Sequence, residues 1–242
     1  MVRRGSGYGR QSGPTRGSRG GGRRILHLVA ASPPAPGESE PLTAATAMAL
    51  LGRALPERSV VVVDAGNTGA LATHLVPAPR DGRWLIALGM AGMGYAFGAA
   101  IGAACATGRR CTVIAGDGAF YMNGLDVHTA VEHQLPITYV VFDNRAHGMC
   151  LVRERLLLAD HAGYNAFSTP VHLGAGLAAM WPRLDARDVA TPAELTRALA
   201  EAYARPGPSF IAVSLPEVEI PPHAAFAQAL AQGLRTVARE HS

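Results

Sequence analysis

The stretch from residue 111 to residue 149, CTVIAGDGAFYMNGLDVHTAVEHQLPITYVVFDNRAHGM, decides the fold. It holds two apolar runs, Cys111–Ala115 and Ile137–Phe142, and a crossover helix is predicted between them at Asn123–Gln134. Apolar runs rich in β-branched residues, without alternating polar ones, are typical of strands buried on both faces. The stretch therefore predicts a βαβ unit in an α/β protein, with a three-layer, doubly wound parallel sheet covered by helices on both faces.

Polar residues follow both predicted strands. The turn Gly116-Asp117-Gly118 follows the first strand, and Asn144 follows the second. A right-handed crossover places both strand ends at one edge of the sheet, so Asp117 and Asn144 are expected to be neighbours. Side-chain oxygens beside glycines, whose amides can approach an anion, suit a hard cation that bridges a diphosphate. A Gly-Asp-Gly tripeptide alone usually marks only a turn, and the flanking strands strengthen the metal-site interpretation.

The segments GDGAFYMNGLDVHTAV and LPITYVVFDNRAHGM resemble thiamine diphosphate-dependent enzymes, most closely the acetolactate synthase branch and its 2-oxo acid decarboxylase relatives. The resemblance implies thiamine diphosphate and Mg2+ as cofactors. It implies that Asp117, the Asn144 side chain and the main-chain carbonyl of Ala146 bind the metal. It also implies that the Gly116 turn contacts the diphosphate, through the amides of Gly118 and Ala119.

A second strand end adds candidates for diphosphate binding. Ser59–Val63 is a buried-strand candidate that ends in Asp64-Ala65-Gly66-Asn67-Thr68. A small polar turn of this kind places amides and a hydroxyl at a helix start, and an ordinary helix cap is the alternative interpretation. In the resembled family this loop also touches the diphosphate, which makes Gly66, Asn67 and Thr68 cofactor-binding candidates.

Met93 is the candidate for supporting the cofactor. It precedes Gly94-Tyr95 in the stretch Trp84–Ala106, whose small residues suit a helix packed tightly on the sheet. A methionine on a helix usually fills core space. In the resembled family, a large apolar residue just before a Gly-aromatic pair supports the cofactor between its two rings. The resemblance therefore places Met93, with its neighbour Gly92, against the cofactor.

Three residues after Asn144 are candidates for the substrate side of the cofactor. His147 could serve acid-base chemistry near neutral pH. Cys150 stands where aldehyde-releasing decarboxylases of the family carry a glutamate, and a thiol protonates a carbanion poorly in an apolar site. Arg153 stands where acetolactate synthases carry a tryptophan that selects the acceptor. Arg153 could bind a carboxylate or form a surface ion pair.

Composition limits the classes of chemistry and of partner. The chain has 242 residues, of which 48% are hydrophobic and 17% charged, as in soluble globular proteins. All 22 basic residues are arginine, which excludes a lysine Schiff base. Three cysteines without CxxC spacing fit a reducing compartment. With no signal-peptide core and no membrane span expected, the predicted location is the cytoplasm.

The predicted domain organisation has three parts. Residues 1–40 form an Arg/Gly-rich tail and a Pro-rich linker expected to be disordered, 41–216 form the cofactor domain, and 217–242 form a polar helical tail. The tail could bind RNA or be a floppy extension, and we expect no nucleic-acid partner because removing its seven arginines leaves the rest mildly acidic. Further elements are predicted as helices at Leu42–Leu55, Leu173–Met180 and Thr191–Ala204, a strand at Pro208–Leu215, and a mobile segment at 156–172.

The resemblance also implies a partner. In the resembled enzymes, a glutamate on a separate pyrimidine-binding domain activates the cofactor across a subunit interface. The chain has no room for that domain, which predicts one half of a split enzyme in a heterodimer or heterotetramer. The expected reaction is decarboxylation of a 2-oxo acid, pyruvate first, with transfer of the acyl unit to an acceptor. The alternatives are a split decarboxylase that releases an aldehyde, of the phosphonopyruvate or sulfopyruvate type, and a non-catalytic remnant that binds the cofactor or a partner.

Overall fold

A computed structural model describes residues 42–157 and 163–216. The expectations for the N-terminal tail and for the helix after residue 216 lie outside the described residues. None of the helices in the described ranges is long and apolar enough to cross a membrane.

Six parallel strands form a single sheet in the order β2-β1-β3-β4-β6-β5. The strands are β1 Val60–Val63, β2 Arg83–Ile86, β3 Cys111–Gly116, β4 Ile137–Asp143, β5 Asp185–Val189 and β6 Ser209–Ser214. The four central strands, β1, β3, β4 and β6, are buried almost throughout, as their continuous apolar runs predict. This sheet confirms the predicted α/β fold class.

Eight α-helices flank the strands within the described ranges. They are α1 Ala44–Ala54, α2 Asn67–Leu75, α3 Tyr95–Thr107, α4 Asp117–Asn123, α5 Val127–Glu132, α6 Gly148–Leu157, α7 Leu173–Met180 and α8 Pro192–Ala204. Helices α1, α2 and α8 pack on one face of the sheet, and α3, α4, α5 and α7 pack on the other.

Alternation along the strands divides the core into these two layers. Val61 and Val63 of β1 face the layer of α1, α2 and α8, whereas Val60 and Val62 face the layer of α3. In the second layer the rings of Phe97 and Tyr139 stack with centroids 5.8 Å apart. Both faces of β1 are therefore apolar, which fixes its position inside the sheet.

The structure differs from the sequence analysis at three places. Strand β2 opens the stretch Trp84–Ala106, whose small residues indicated a helix, and α3 begins only at Tyr95. Strand β5 has no counterpart among the predicted elements. Both lie at the edges of the sheet, where strands are only partly buried and need no continuous apolar run. The predicted crossover helix is two short helices, α4 and α5, joined by a 3-10 turn at Gly124–Asp126.

The segment after α6 is more regular than the sequence indicated. Within the predicted mobile range, the described residues 163–167 fold back against residues 145–147. Ala146 and Ala166 form an antiparallel bridge, and the amide of Phe167 donates to the carbonyl of Arg145 at 2.7 Å. Residues 158–162 lie outside the described part of the chain.

Candidate functional site

The candidate site lies where the chain switches direction across the sheet. Strand β2 pairs with one side of β1 and β3 with the other, so the loops after β1 and β3 diverge and leave a crevice. An open cleft occupies this crevice, with about 430 Å3 of empty space including the solvent at its mouth. It is lined by residues 65–68, 93, 116–119, 144 and 146–150.

Three oxygen atoms converge at the carboxyl ends of β3 and β4. The side-chain oxygen of Asn144 lies 3.1 Å from the carbonyl oxygen of Ala146 and 3.3 Å from Oδ1 of Asp117. Oxygens bound to Mg2+ at about 2.1 Å in an octahedron lie roughly 3 Å apart, which these separations match. Without a cation three acceptors would repel, and a half-turn of the Asn144 amide would be preferred. The donor set therefore fits Mg2+, with one charged and two neutral ligands.

The Asp117 carboxylate is held in place by the backbone around it. Its Oδ1 accepts from the amide of Gly118 at 2.8 Å, and its Oδ2 accepts from the amide of Ala146 at 3.1 Å. The side chain is 1% exposed. Burial first, and then the nearby carboxylate of Asp143, raise the pKa of Asp117 to about 7. A divalent cation would favour the ionised form that this environment disfavours.

A second buried carboxylate, Asp64, shapes the other side of the cleft. Its Oδ1 accepts from the amides of Ala65 and Gly94 at 2.8 and 3.0 Å, and its Oδ2 accepts from the amide of Ala96 at 2.8 Å. These bonds join the end of β1 to the start of α3. They therefore fix the chain immediately after Met93, whose side chain lines the cleft.

The loop that carries Asn144 and His147 is clamped from outside. The amide of His147 donates to the carbonyl of Asn165 at 2.9 Å, and the His147 ring meets the ring of Phe167 edge-on at 4.9 Å. Glu154 of α6 holds this covering segment, because its carboxylate accepts from the amides of Gly163 and Asn165 and from the Asn165 side chain. The covering segment thereby positions the Ala146 carbonyl as well.

The structure brings most of the predicted site residues together. The cleft lining includes the three predicted metal ligands, Asp117, Asn144 and Ala146. It also includes Met93, His147 and Cys150. Both predicted diphosphate loops contribute, with Gly66, Asn67 and Thr68 from one and Gly116, Gly118 and Ala119 from the other. Gly92 and Arg153 are exposed and lie outside this lining. The amide of Gly118, predicted to face the diphosphate, donates to Asp117 instead.

Sequence reasoning missed three residues that shape the site: Asp64, Glu154 and Phe167. An acidic residue directly after the all-valine strand β1 is a detectable signal for Asp64, since a carboxylate at a buried strand end needs donors. Glu154 and Phe167 act through a fold-back of the chain that has no local sequence signal.

Comparisons with known families identify the domain. The family described as "Thiamine pyrophosphate enzyme, C-terminal TPP binding domain" matches residues 64–213, which is more than half of the chain. The matched range begins at Asp64 after β1 and ends within β6, so it contains both loops that line the cleft.

Individual relatives agree with this assignment. The chain is 29% identical to acetolactate synthase isozyme 1 large subunit of Escherichia coli over 198 residues, covering 79% of this chain and 35% of that protein. It is 36% identical to sulfoacetaldehyde acetyltransferase of Alcaligenes xylosoxydans xylosoxydans over 99 residues, covering 40% and 16%.

A solved structure supports the fold. Benzoylformate decarboxylase from Polynucleobacter necessarius superimposes with a TM-score of 0.66 at 22% identity, over 77% of this chain and 36% of that chain. The chain thus spans about a third or less of the length of these proteins. With the family matched across the whole cleft, we conclude that the chain belongs to the thiamine pyrophosphate enzymes, as their C-terminal TPP-binding domain.

Proposed function

We propose that this chain is the diphosphate-binding subunit of a split thiamine diphosphate enzyme that decarboxylates a 2-oxo acid, with pyruvate as the first candidate, and transfers the acyl unit to an acceptor. The observation that carries the proposal is the meeting of the Asp117 carboxylate, the Asn144 side-chain amide and the Ala146 carbonyl at the edge of the sheet. This donor set suits a magnesium ion that keeps further positions for diphosphate oxygens and water.

The chain's own residues would bind and orient the cofactor. Asp117, Asn144 and the Ala146 carbonyl would hold Mg2+, and the loop at residues 65–68 offers amides and the Thr68 hydroxyl to the diphosphate. Met93 presents an apolar side chain to the same cleft and would support the cofactor body. When bound, thiamine diphosphate supplies the electron sink for loss of CO2 and transfer of the acyl unit.

Acyl transfer is favoured over aldehyde release by two observations. The sequence relatives are named as an acetolactate synthase and an acetyltransferase. In addition, Cys150 lines the cleft at a position where a carboxylic acid would serve as a proton donor. If protonation is the missing step, Cys150→Glu will raise aldehyde release relative to carboligation, with Cys105→Glu on the exposed surface of α3 as the control. An unchanged product ratio would remove Cys150 from the argument.

A partner subunit is proposed to supply the pyrimidine-binding domain and its activating glutamate. Support comes from large apolar side chains exposed close to the cleft. Leu88 and Met90 are 74% and 97% exposed in the loop that leads to Met93, and Tyr95 and Leu125 are exposed on the adjoining α3 and 3-10 turn. Clustered exposed apolar residues mark interaction surfaces, so we infer a hetero-oligomer with the cleft at its interface.

The testing experiment measures CO2 release from pyruvate with thiamine diphosphate and Mg2+. The chain is assayed alone, and with a candidate partner that carries a pyrimidine-binding domain. The split-enzyme proposal predicts turnover only with the partner, and loss of that turnover in Asp117→Asn. Turnover by the chain alone would contradict the partner requirement. Tight cofactor binding without turnover in any mixture would favour the non-catalytic alternative.

A further inference from the structure

The imidazole of His147 has one nitrogen that the protein's own hydrogen bonds do not explain. Its Nδ1 is buried and has no hydrogen-bond partner among the described residues. A buried polar atom without a partner is costly, and such atoms often mark the binding position of a ligand. The ring is also fixed in place, by its edge contact with Phe167 and by the bond from its backbone amide to Asn165.

The direction of Nδ1 is set by Gly118. A Cβ atom at Gly118 would lie 2.4 Å from Nδ1 of His147, so only glycine allows the ring to lie against this turn. Gly118 follows Asp117 directly, and His147 follows Ala146 directly. Nδ1 therefore lies beside two of the three oxygen-bearing residues of the metal site, which is the diphosphate end of the cleft.

An anion in this cleft would depend on neutral donors, namely helix-start amides, a hydroxyl and side-chain nitrogens. No lysine or arginine belongs to the lining within the described ranges. The amide of Gly118 is already engaged by Asp117. Asn67 and Thr68 approach from the β1 loop on the other side. On the β4 side, the lining also contains His147, whose Nδ1 has no hydrogen-bond partner among the described residues and lies against the turn.

We propose that His147 binds the cofactor's diphosphate by donating a hydrogen bond from Nδ1 to a phosphate oxygen. The proposal rests on the proposed function and reassigns His147 from substrate-side acid-base chemistry to cofactor binding. The neutral imidazole with its proton on Nδ1 is sufficient, so no change of protonation is required. Glu154 and Phe167, which hold the covering segment, then serve as positioning residues for this contact.

The test uses two substitutions that separate the ring nitrogens. In His147→Asn, the side-chain amide nitrogen branches from Cγ and can take the place of Nδ1. In His147→Gln, the amide lies one bond further out and takes the place of Nε2. The control His133→Gln alters an exposed histidine at the end of α5. The readout is the dissociation constant of the full-length chain for inorganic pyrophosphate with Mg2+, and for thiamine diphosphate with Mg2+, by calorimetry.

We expect His147→Gln to weaken both ligands by about tenfold, since a hydrogen bond to a charged group is lost. His147→Asn should stay within about threefold of the wild-type chain. Unfolding curves of the three variants establish that each is folded. Equal loss in His147→Asn and His147→Gln would show that ring packing is responsible and would overturn the Nδ1 contact.

Two further outcomes separate this inference from the proposed function. Unchanged pyrophosphate affinity in His147→Gln, together with reduced CO2 release, would overturn the diphosphate assignment and return His147 to the substrate side. A wild-type chain that binds neither pyrophosphate nor thiamine diphosphate would contradict the proposed function, and the His147 assignment would fall with it.

Discussion

Asp64 and Asp117 are two buried carboxylates on neighbouring strands with opposite surroundings. Each is 1% exposed, and each follows the end of a central strand. Around Asp64, three backbone amides donate to the two oxygens. Around Asp117, two amides donate, and the Asn144 side-chain amide lies 3.3 Å from Oδ1. Asp64 therefore meets backbone donors alone, whereas Asp117 also meets a side chain whose oxygen could share a cation with it.

The largest effect is expected from Asp117→Asn on cofactor binding. The substitution removes the charged ligand of the metal site while preserving the shape of the side chain. Loss of an outer partner of a metal ligand costs roughly 10 to 100-fold in affinity, so loss of the ligand's charge should weaken Mg2+-dependent binding of thiamine diphosphate by more than about 100-fold. Calorimetric titration measures this. Wild-type affinity in Asp117→Asn would show that the metal does not bind there.

Asp64→Asn should show the reverse pattern, with a loss of stability as the main effect. An asparagine presents NH2 to at least one of the three amides, and a hydrogen bond to a charged group contributes about 1.5 to 3 kcal/mol. We expect the free energy of unfolding to fall by about 2 to 3 kcal/mol, as measured by chemical denaturation.

Asp188 of β5, which accepts hydrogen bonds from the start of α7, provides a control for the Asp64→Asn substitution. Asp188 accepts from the amides of Gly174 and Ala175, both at 2.9 Å, but it is exposed and remote from the cleft. Asp188→Asn should therefore cost less, about 1 kcal/mol. An equal loss of stability in Asp64→Asn and Asp188→Asn would mean that burial does not strengthen the hydrogen bonds of Asp64.

The raised pKa of Asp117 can also be tested through the pH dependence of stability. Without a metal, burial and the neighbouring Asp143 raise the pKa of Asp117 from 3.8 to about 7. A raised carboxyl pKa contributes stability that is full below the unfolded value of 3.8 and is lost as the pH rises through about 7. In a chelator, the wild-type chain should therefore lose stability relative to Asp117→Asn as the pH rises from about 4 to about 7, with no further loss above that range. Mg2+ should reverse that loss, and a pH-independent difference would contradict the raised pKa.

An effect as small as that of Asp188→Asn is expected at Thr191, which does not line the cleft. Its hydroxyl accepts from the amide of Glu194 at 3.3 Å, and the Glu194 carboxylate accepts from the amide of Thr191 at 3.1 Å. Thr191→Ala should cost about 1 kcal/mol of stability and leave cofactor affinity unchanged. A change in affinity here would mean that global stability, rather than the site, controls binding in all the variants.

The central part of the fold could be predicted because its signals are local. Strands β1, β3, β4 and β6 are buried on both faces and therefore carry continuous apolar runs, and the Thr191 to Glu194 capping box marks the start of α8. Edge strands lack that constraint. The β5 sequence, Asp185-Ala186-Arg187-Asp188-Val189, is mostly polar and has no apolar run that would predict a strand. It forms a strand because it pairs in parallel with β6, and this pairing is not visible in the local sequence.

The site could be predicted in part for the same reason. Asp117 and Asn144 follow β3 and β4, two strands that their apolar runs predict. These strands pair in parallel, with Gly116 opposite Phe142. The support around them could not be predicted. The bond from Glu154 to the covering segment and the contact between His147 and Phe167 join residues that meet only after the chain folds back.

A crystal structure of the chain grown with thiamine diphosphate and Mg2+ would test the metal assignment at Asp117. We expect a metal ion about 2.1 Å from a carboxylate oxygen of Asp117, the side-chain oxygen of Asn144 and the Ala146 carbonyl. Diphosphate oxygens should complete its coordination. An Asn144 amide turned to donate to Asp117 and Ala146, with the diphosphate bound elsewhere or absent, would contradict it.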